Sequence, residues 1–226
     1  MTALEVRGVS FVHGSGRART TALAPTDLTV RAGQSLAVIG RSGAGKSTLA
    51  EIVLGLRRPA GGSVRVHGEP WSDATRGPGR TRRRLVQGVP QDASGSFAPA
   101  GSVGDQIAGG LRRLGVARGS AAALRVRRAA EIAQLDPVLL DRRPAELSGG
   151  QAQRAAIARA VAASPAVIVA DEPTSALDTA TAEAVASAVL ALAPSLGTAL
   201  LIVTHDPMLA ARCDAVLEIT TPAERP

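Results

Sequence analysis

Three textures of apolar and polar positions run along the 226-residue chain. Leu36-Ala37-Val38-Ile39, Val167 to Ala170 and Leu200 to Val203 are short apolar runs bounded by turn residues, the pattern of parallel strands buried on both faces. Leu4 to Val9 and Ser63 to His67 alternate apolar with polar residues, as half-exposed antiparallel strands do. From about 93 to 156 the spacing is helical, as in Val103 to Leu114 and Ala121 to Leu135. Ser47 to Leu56 also reads as a helix. The run from Ala184 to Val203 carries no charge and is long enough to cross a membrane. Pro194, Ser195 and Gly197 divide it, so it reads as an Ala-rich helix followed by a buried strand, Ala199 to Val203. The chain is thus expected to form a single domain, 1–226. A core with a β part would span about 1–92 and 157–226, and a helical insert about 93–156. The tail, 221–226, is expected to fray.

Composition narrows the function classes. Aromatic residues are only 1% of the chain, so the core must be built from Ala, Val, Leu and Ile, and the composition argues against a base-stacking platform for single-stranded nucleic acid. The net charge of +7 is carried almost wholly by arginine, because Lys46 is the sole lysine. Arginines concentrate between Arg76 and Arg143; biased codon usage accounts for most of this, and a basic patch of this kind also suits an anionic surface or an acidic partner. Cys213 is alone, so there is no intramolecular disulfide and no cysteine cluster for a metal. Met1 to Glu5 lacks the charged-then-apolar order of a signal peptide, which favours the cytosol.

The candidate chemistry lies at strand ends. Gly40-Arg41-Ser42-Gly43-Ala44-Gly45-Lys46-Ser47 fits the phosphate-binding pattern GxxxxGK[ST], after a strand and before a helix. Its glycines let backbone N–H groups turn toward phosphate oxygens, and the helix N-terminus adds positive potential. Lys46 would reach the β- and γ-phosphates, the Ser47 hydroxyl would face Mg²⁺, and Thr48 continues the loop. Asp171 ends a buried strand, where a carboxylate can hold Mg²⁺ directly or through water; Glu172, next to it, can accept a proton from an attacking water. His205 ends a third strand, and Gln91 opens the helical segment.

Leu147-Ser148-Gly149-Gly150-Gln151, set between this loop and the Asp171-Glu172 strand, makes the whole chain resemble the ATP-binding-cassette (ABC) ATPases. The resemblance implies an α/β fold with a P-loop NTPase (RecA-like) core, a small antiparallel β part and an α-helical insert. It implies ATP and Mg²⁺ as cofactors and ATP hydrolysis as the activity. Gln91 matches the family's Q-loop, which touches Mg²⁺ and the attacking water. His205 matches the H-loop, which bonds the γ-phosphate. Asp178, in Ser175-Ala176-Leu177-Asp178, matches the D-loop at the dimer interface. Ser148, Gly149, Gly150 and Gln151 would meet the γ-phosphate bound by a second ATPase subunit, identical or different. His13 stands where the family has an aromatic residue stacked on adenine, and an imidazole can take that role. The partners implied are transmembrane permease subunits, with no nucleic acid, at the cytoplasmic face of the cell membrane. Gln91-Asp92-Ala93-Ser94-Gly95-Ser96-Phe97-Ala98-Pro99 looks like the run found in oligopeptide, dipeptide and nickel importer ATPases. Many of those carry a C-terminal extension, whereas this chain ends soon after Ile219. The alternative is a soluble ABC ATPase that remodels a protein or nucleic-acid complex.

Overall fold

The computed structural model describes residues 1–14 and 20–220; the tail expected to fray, 221–226, lies outside them. Two sheets organise the chain. Strands β1 (Thr2–His13), β2 (Thr20–Arg31), β4 (Gly61–Val66) and β5 (Glu69–Asp73) form an antiparallel sheet in the order β2-β1-β4-β5. Strands β3 (Ser35–Ile39), β6 (Val86–Val89), β7 (Val167–Asp171), β8 (Ala199–Val203) and β9 (Ala215–Glu218) form a parallel sheet in the order β6-β7-β8-β3-β9. The alternating segments at Leu4 and Ser63 do pair antiparallel, with Val6 opposite Val64. The short apolar runs lie side by side in the centre of the parallel sheet.

Period-2 side-chain alternation sends the central strands into two separate cores. On one face Val167, Val169, Leu201 and Val203 share a core with the antiparallel sheet and with helix α1 (Lys46–Val53). On the other, Ile168, Ala170, Leu200 and Ile202 pack with α2 (Val103–Arg113), α3 (Gly119–Ile132), α4 (Gly149–Ala162) and α5 (Thr179–Leu196). A short helix α6 (Pro207–Ala211) follows β8. Six alanines of α4 are buried. Small side chains let this helix lie close against both α3 and the sheet, which is how a chain with so few aromatics fills its interior. Helix α4 runs unbroken through residue 156, so the helical segment and the sheet share one helix.

The uncharged run resolves into a helix and a strand, but Pro194 and Ser195 lie inside α5; the break falls only at Gly197, which caps the helix in the left-handed conformation (φ 63°) before β8 begins at Ala199. By length and composition α5 is apolar enough to cross a membrane. Here Val185, Ala186, Ala188, Val189, Leu192 and Ala193 make one buried stripe at helical spacing. The sole tryptophan, Trp71 on β5, is 2% exposed, and its indole N–H donates to the carbonyl of Val53 at the end of α1 (2.9 Å).

Candidate functional site

The C-terminal ends of β3, β7 and β8 open into a cavity of about 530 Å³. This is where open α/β sheets bind ligands. The loop from Gly40 to Ser47 forms its floor. Helix α1 starts at Lys46, one residue earlier than its sequence pattern predicts, with Gly45 as N-cap at φ 100°. A Cβ on Gly45 would sit 2.3 Å from the carbonyl oxygen of Ala22, so only glycine lets the loop pass under β2. Lys46 Nζ folds back over the loop and donates to the carbonyls of Gly40 (2.8 Å) and Arg41 (3.1 Å). The ammonium is thereby held at the mouth of the cradle.

Ser42, Gly43, Gly45, Lys46, Ser47, Thr48, Gln91, Glu172, His205 and His13 all line this one cavity. Ala44 is fully buried beneath it. His13 stands at the rim, its ring edge-on to Phe11 with centroids 5.1 Å apart. Thr20, Thr21 and Ala22 of β2 complete the wall beside it. Sequence reasoning missed these three, and only their place in a long strand after the phosphate-loop's neighbour β1 could have signalled them.

Asp171 and Glu172 have different surroundings. Burial raises the Asp171 carboxyl above the ordinary range, the Glu172 charge adds to this, and the Ser47 hydroxyl opposes it. Its Oδ1 is buried without a hydrogen-bond partner. The ionised form therefore costs the empty protein stability at neutral pH, a cost absent below the ordinary carboxylate range. An orphan oxygen beside a hydroxyl is suited to a cation. Among the described residues no group of three or more His, Cys, Asp and Glu is placed to hold a metal. Glu172 adopts a left-handed backbone (φ 47°), uncommon for a non-glycine residue, and its N–H donates to Val203 O (2.9 Å). Its carboxylate meets His205 Nδ1 at 2.8 Å, with only 15% of the glutamate side chain exposed. The pairing commits Nδ1–H to the carboxylate and leaves Nε2 for another partner.

Ser148, Gly150, Gln151 and Asp178 are not in this cavity. Ser148 caps α4: its Oγ accepts from Gln151 N (3.3 Å), and Gln151 Oε1 accepts from Ser148 N (2.9 Å). Helix α4 therefore begins at Gly149. A Cβ on Gly150 would lie 2.4 Å from Thr181 Cγ2, so this glycine seats α4 against α5. Asp178 caps α5 by accepting from Thr181 N (3.0 Å), and its carboxyl is held below the ordinary range by the Thr181 hydroxyl first and by this N–H second. Gly149 lines a separate cavity of about 250 Å³ with Gln91, Gln153 and Leu177.

Residues 23–175 match the family model described as ABC transporter. The chain is an ATPase subunit of the ABC transporter family. The cassette is 36% identical over 223 residues to the nickel import ATP-binding protein NikE of Escherichia coli (strain K12), covering 96% of this chain and 83% of that protein. It is 37% identical, with the same coverage, to NikE of Shigella sonnei (strain Ss046). Among solved structures it is similar to the ATP-binding cassette MJ0796 in a dimeric post-hydrolysis state bound to ADP and Pi. That similarity is 28% identity and a TM-score of 0.83 over 98% of this chain and 97% of the other. It is also similar to cbiO1 from Clostridium perfringens, described as part of the ABC transporter complex cbiONQ, at 26% identity and a TM-score of 0.79 over 96% and 84%. The expected P-loop core, antiparallel β part and helices are all present in the cassette.

Proposed function

We propose that this cassette hydrolyses Mg·ATP as one of two ATPase subunits, identical or different, on the cytoplasmic face of a membrane importer. The cargo we assign is nickel, a peptide or a similar small solute, supported by the identity to NikE. The observation that carries the reading is the convergence of Lys46, Gln91, Glu172 and His205 on one cavity, with Asp171 next to Ser47 and lining the adjoining cavity together with Gln91. Lys46 swings from the carbonyls of Gly40 and Arg41 to the β- and γ-phosphates. Ser47, Asp171 and Gln91 hold Mg²⁺, which neutralises charge developing on the phosphate oxygens. Glu172 takes a proton from the attacking water, and His205 fixes the glutamate through Nδ1. His13 offers its ring to the base. Ser148 and Gly149 close on the partner subunit's γ-phosphate, with Asp178 at that interface. The permease docks on the segment 91–115, beside an apolar cavity of about 480 Å³ between the end of α1, β6 and Leu114.

Two measurements test this. Cross-links from segment 91–115 reach a multi-span membrane subunit; cross-links confined to nucleic acid or ribosomal protein would replace this reading with the soluble alternative. The second uses the solitary lysine. An acylating reagent has two classes of amine here, the α-amino group and Lys46. α-Amino groups as a class are less basic than lysine side chains, so the first phase falls on Met1. It is silent, because β1 runs roughly 35 Å from Met1 to His13 at the cavity. The slower phase, at Lys46, abolishes hydrolysis, and Mg·ATP protects against it alone. Continued hydrolysis with Lys46 fully acylated overturns the phosphate role of the loop.

A further inference from the structure

Gln91 is the residue at which three cavities meet. It lines the nucleotide cavity, the apolar cavity beside α1, and the small cavity at the start of α4. Its side chain does not point free into any of them. Gln91 Nε2 donates to Ser175 Oγ (3.2 Å), and Ser175 Oγ in turn donates to the carbonyl of Glu172 (3.1 Å). The Ser175 N–H reaches the same carbonyl (3.3 Å). With the hydroxyl proton committed to Glu172, Ser175 can only accept from Gln91, which fixes the orientation of the glutamine amide. Glu172 continues the chain to His205 Nδ1 (2.8 Å). Two hydrogen-bonded stretches thus meet at Glu172, one on its backbone carbonyl from Gln91 and Ser175 and one on its carboxylate from His205.

We infer that Ser175 is a positioning residue: it stows the Gln91 amide on the loop after β7 while the nucleotide cavity is empty, and releases it when the cavity fills. This rests on the reading of Gln91 as a group that turns toward metal and attacking water. A neutral hydrogen bond between two exposed side chains is a weak latch, so bound nucleotide can break it. Release frees Gln91 and, through the shared Ser175 hydroxyl, loosens the loop that carries Ala176 and Leu177 beside Gly149. Filling one cavity is thereby reported to the next.

Hydrogen exchange of the segments 88–96 and 172–178, followed by mass spectrometry in Ser175→Ala and Ser175→Thr, tests the latch. In nucleotide-free protein Ser175→Ala exchanges about fivefold faster in both segments, the factor for one lost bond of typical strength. With Mg²⁺ and a non-hydrolysable ATP analogue bound, variant and parent exchange equally in 88–96, since the Gln91 bond is already broken, whereas 172–178 keeps a difference from the lost Ser175 Oγ bond to Glu172 O. Ser175→Ala also binds the analogue up to about fivefold more tightly, because the parent must first release Gln91. Ser175→Thr, which keeps the hydroxyl, behaves as the parent. Unchanged exchange in the empty alanine variant overturns the inference. So does acceleration in 88–96 that persists with nucleotide, or failure of threonine to restore the parent rate. Should the parent neither bind nor hydrolyse ATP, the functional reading falls, while the exchange comparison in the empty protein still reports whether the latch exists.

Discussion

A Glu172→Gln variant binds ATP as the parent does and hydrolyses it about 10²-fold more slowly or worse, the loss expected when a general base is removed. The substitution preserves the shape of the side chain and leaves an amide oxygen to accept from His205 Nδ1, now 2.8 Å from Glu172 Oε2. What disappears is an acceptor that can take a proton from water. The neighbouring Asp171 is not expected to substitute: it does not line the nucleotide cavity as Glu172 does, and its Oδ1 is buried without a partner. The closed two-subunit state then persists, because nothing resolves it. Phosphate release and size-exclusion chromatography with Mg·ATP measure the two effects together. Near-normal turnover would take Glu172 out of the mechanism.

The second large effect is on assembly. Ser148→Arg leaves nucleotide affinity of the single subunit nearly intact and abolishes ATP-driven dimerisation. Ser148 lies outside the cavity that holds Lys46, and its Oγ accepts from Gln151 N, which leaves the hydroxyl proton free for an anion from elsewhere. The start of α4 is the helix N-terminus proposed to meet the partner's phosphate, and it lies outside the cavity that holds its own subunit's Lys46. An arginine there obstructs the close approach that Gly149 and Gly150 permit. The substitution also removes a helix cap, which costs about 1 kcal/mol and lowers Tm by roughly 2–4 °C in a domain of this size. That is too little to unfold the protein, so a melting curve separates the two consequences. Loss of nucleotide binding by the monomer would mean that Ser148 acts within its own subunit.

The sequence made the phosphate cradle legible because it is local: eight consecutive residues between one strand and one helix. The central strands were legible because burial on both faces leaves an uninterrupted apolar run. Other elements were hidden for physical reasons. β2 carries Pro25 and pairs with β1 through several register shifts, so its alternation slips. β5 contributes one buried aromatic, Trp71, and follows β4 through a tight turn in which His67 and Gly68 both have positive φ (52° and 76°). β6 is four residues long and includes Gly88, over which Leu54 packs. Helix α1 stops at Val53, short of Leu56, because Gly55 turns the chain at φ 72°. Within the site, the distant pairs were invisible. Gln91 and Ser175 are 84 residues apart, and no local pattern distinguishes the Ser175 hydroxyl from that of any other loop serine. Nor does spacing disclose that Asp178 and Ser148 serve first as helix caps.

The indole of Trp71 ties β5 to the far end of the helix that Lys46 begins. The chain has one tryptophan and no tyrosine, so its ultraviolet emission comes essentially from that ring. The cassette is therefore supplied with an internal optical gauge, set one helix length from the phosphate cradle. Nucleotide arrival and departure can be timed by stopped-flow fluorescence on the unlabelled protein, wherever they shift the carbonyl of Val53 against the ring.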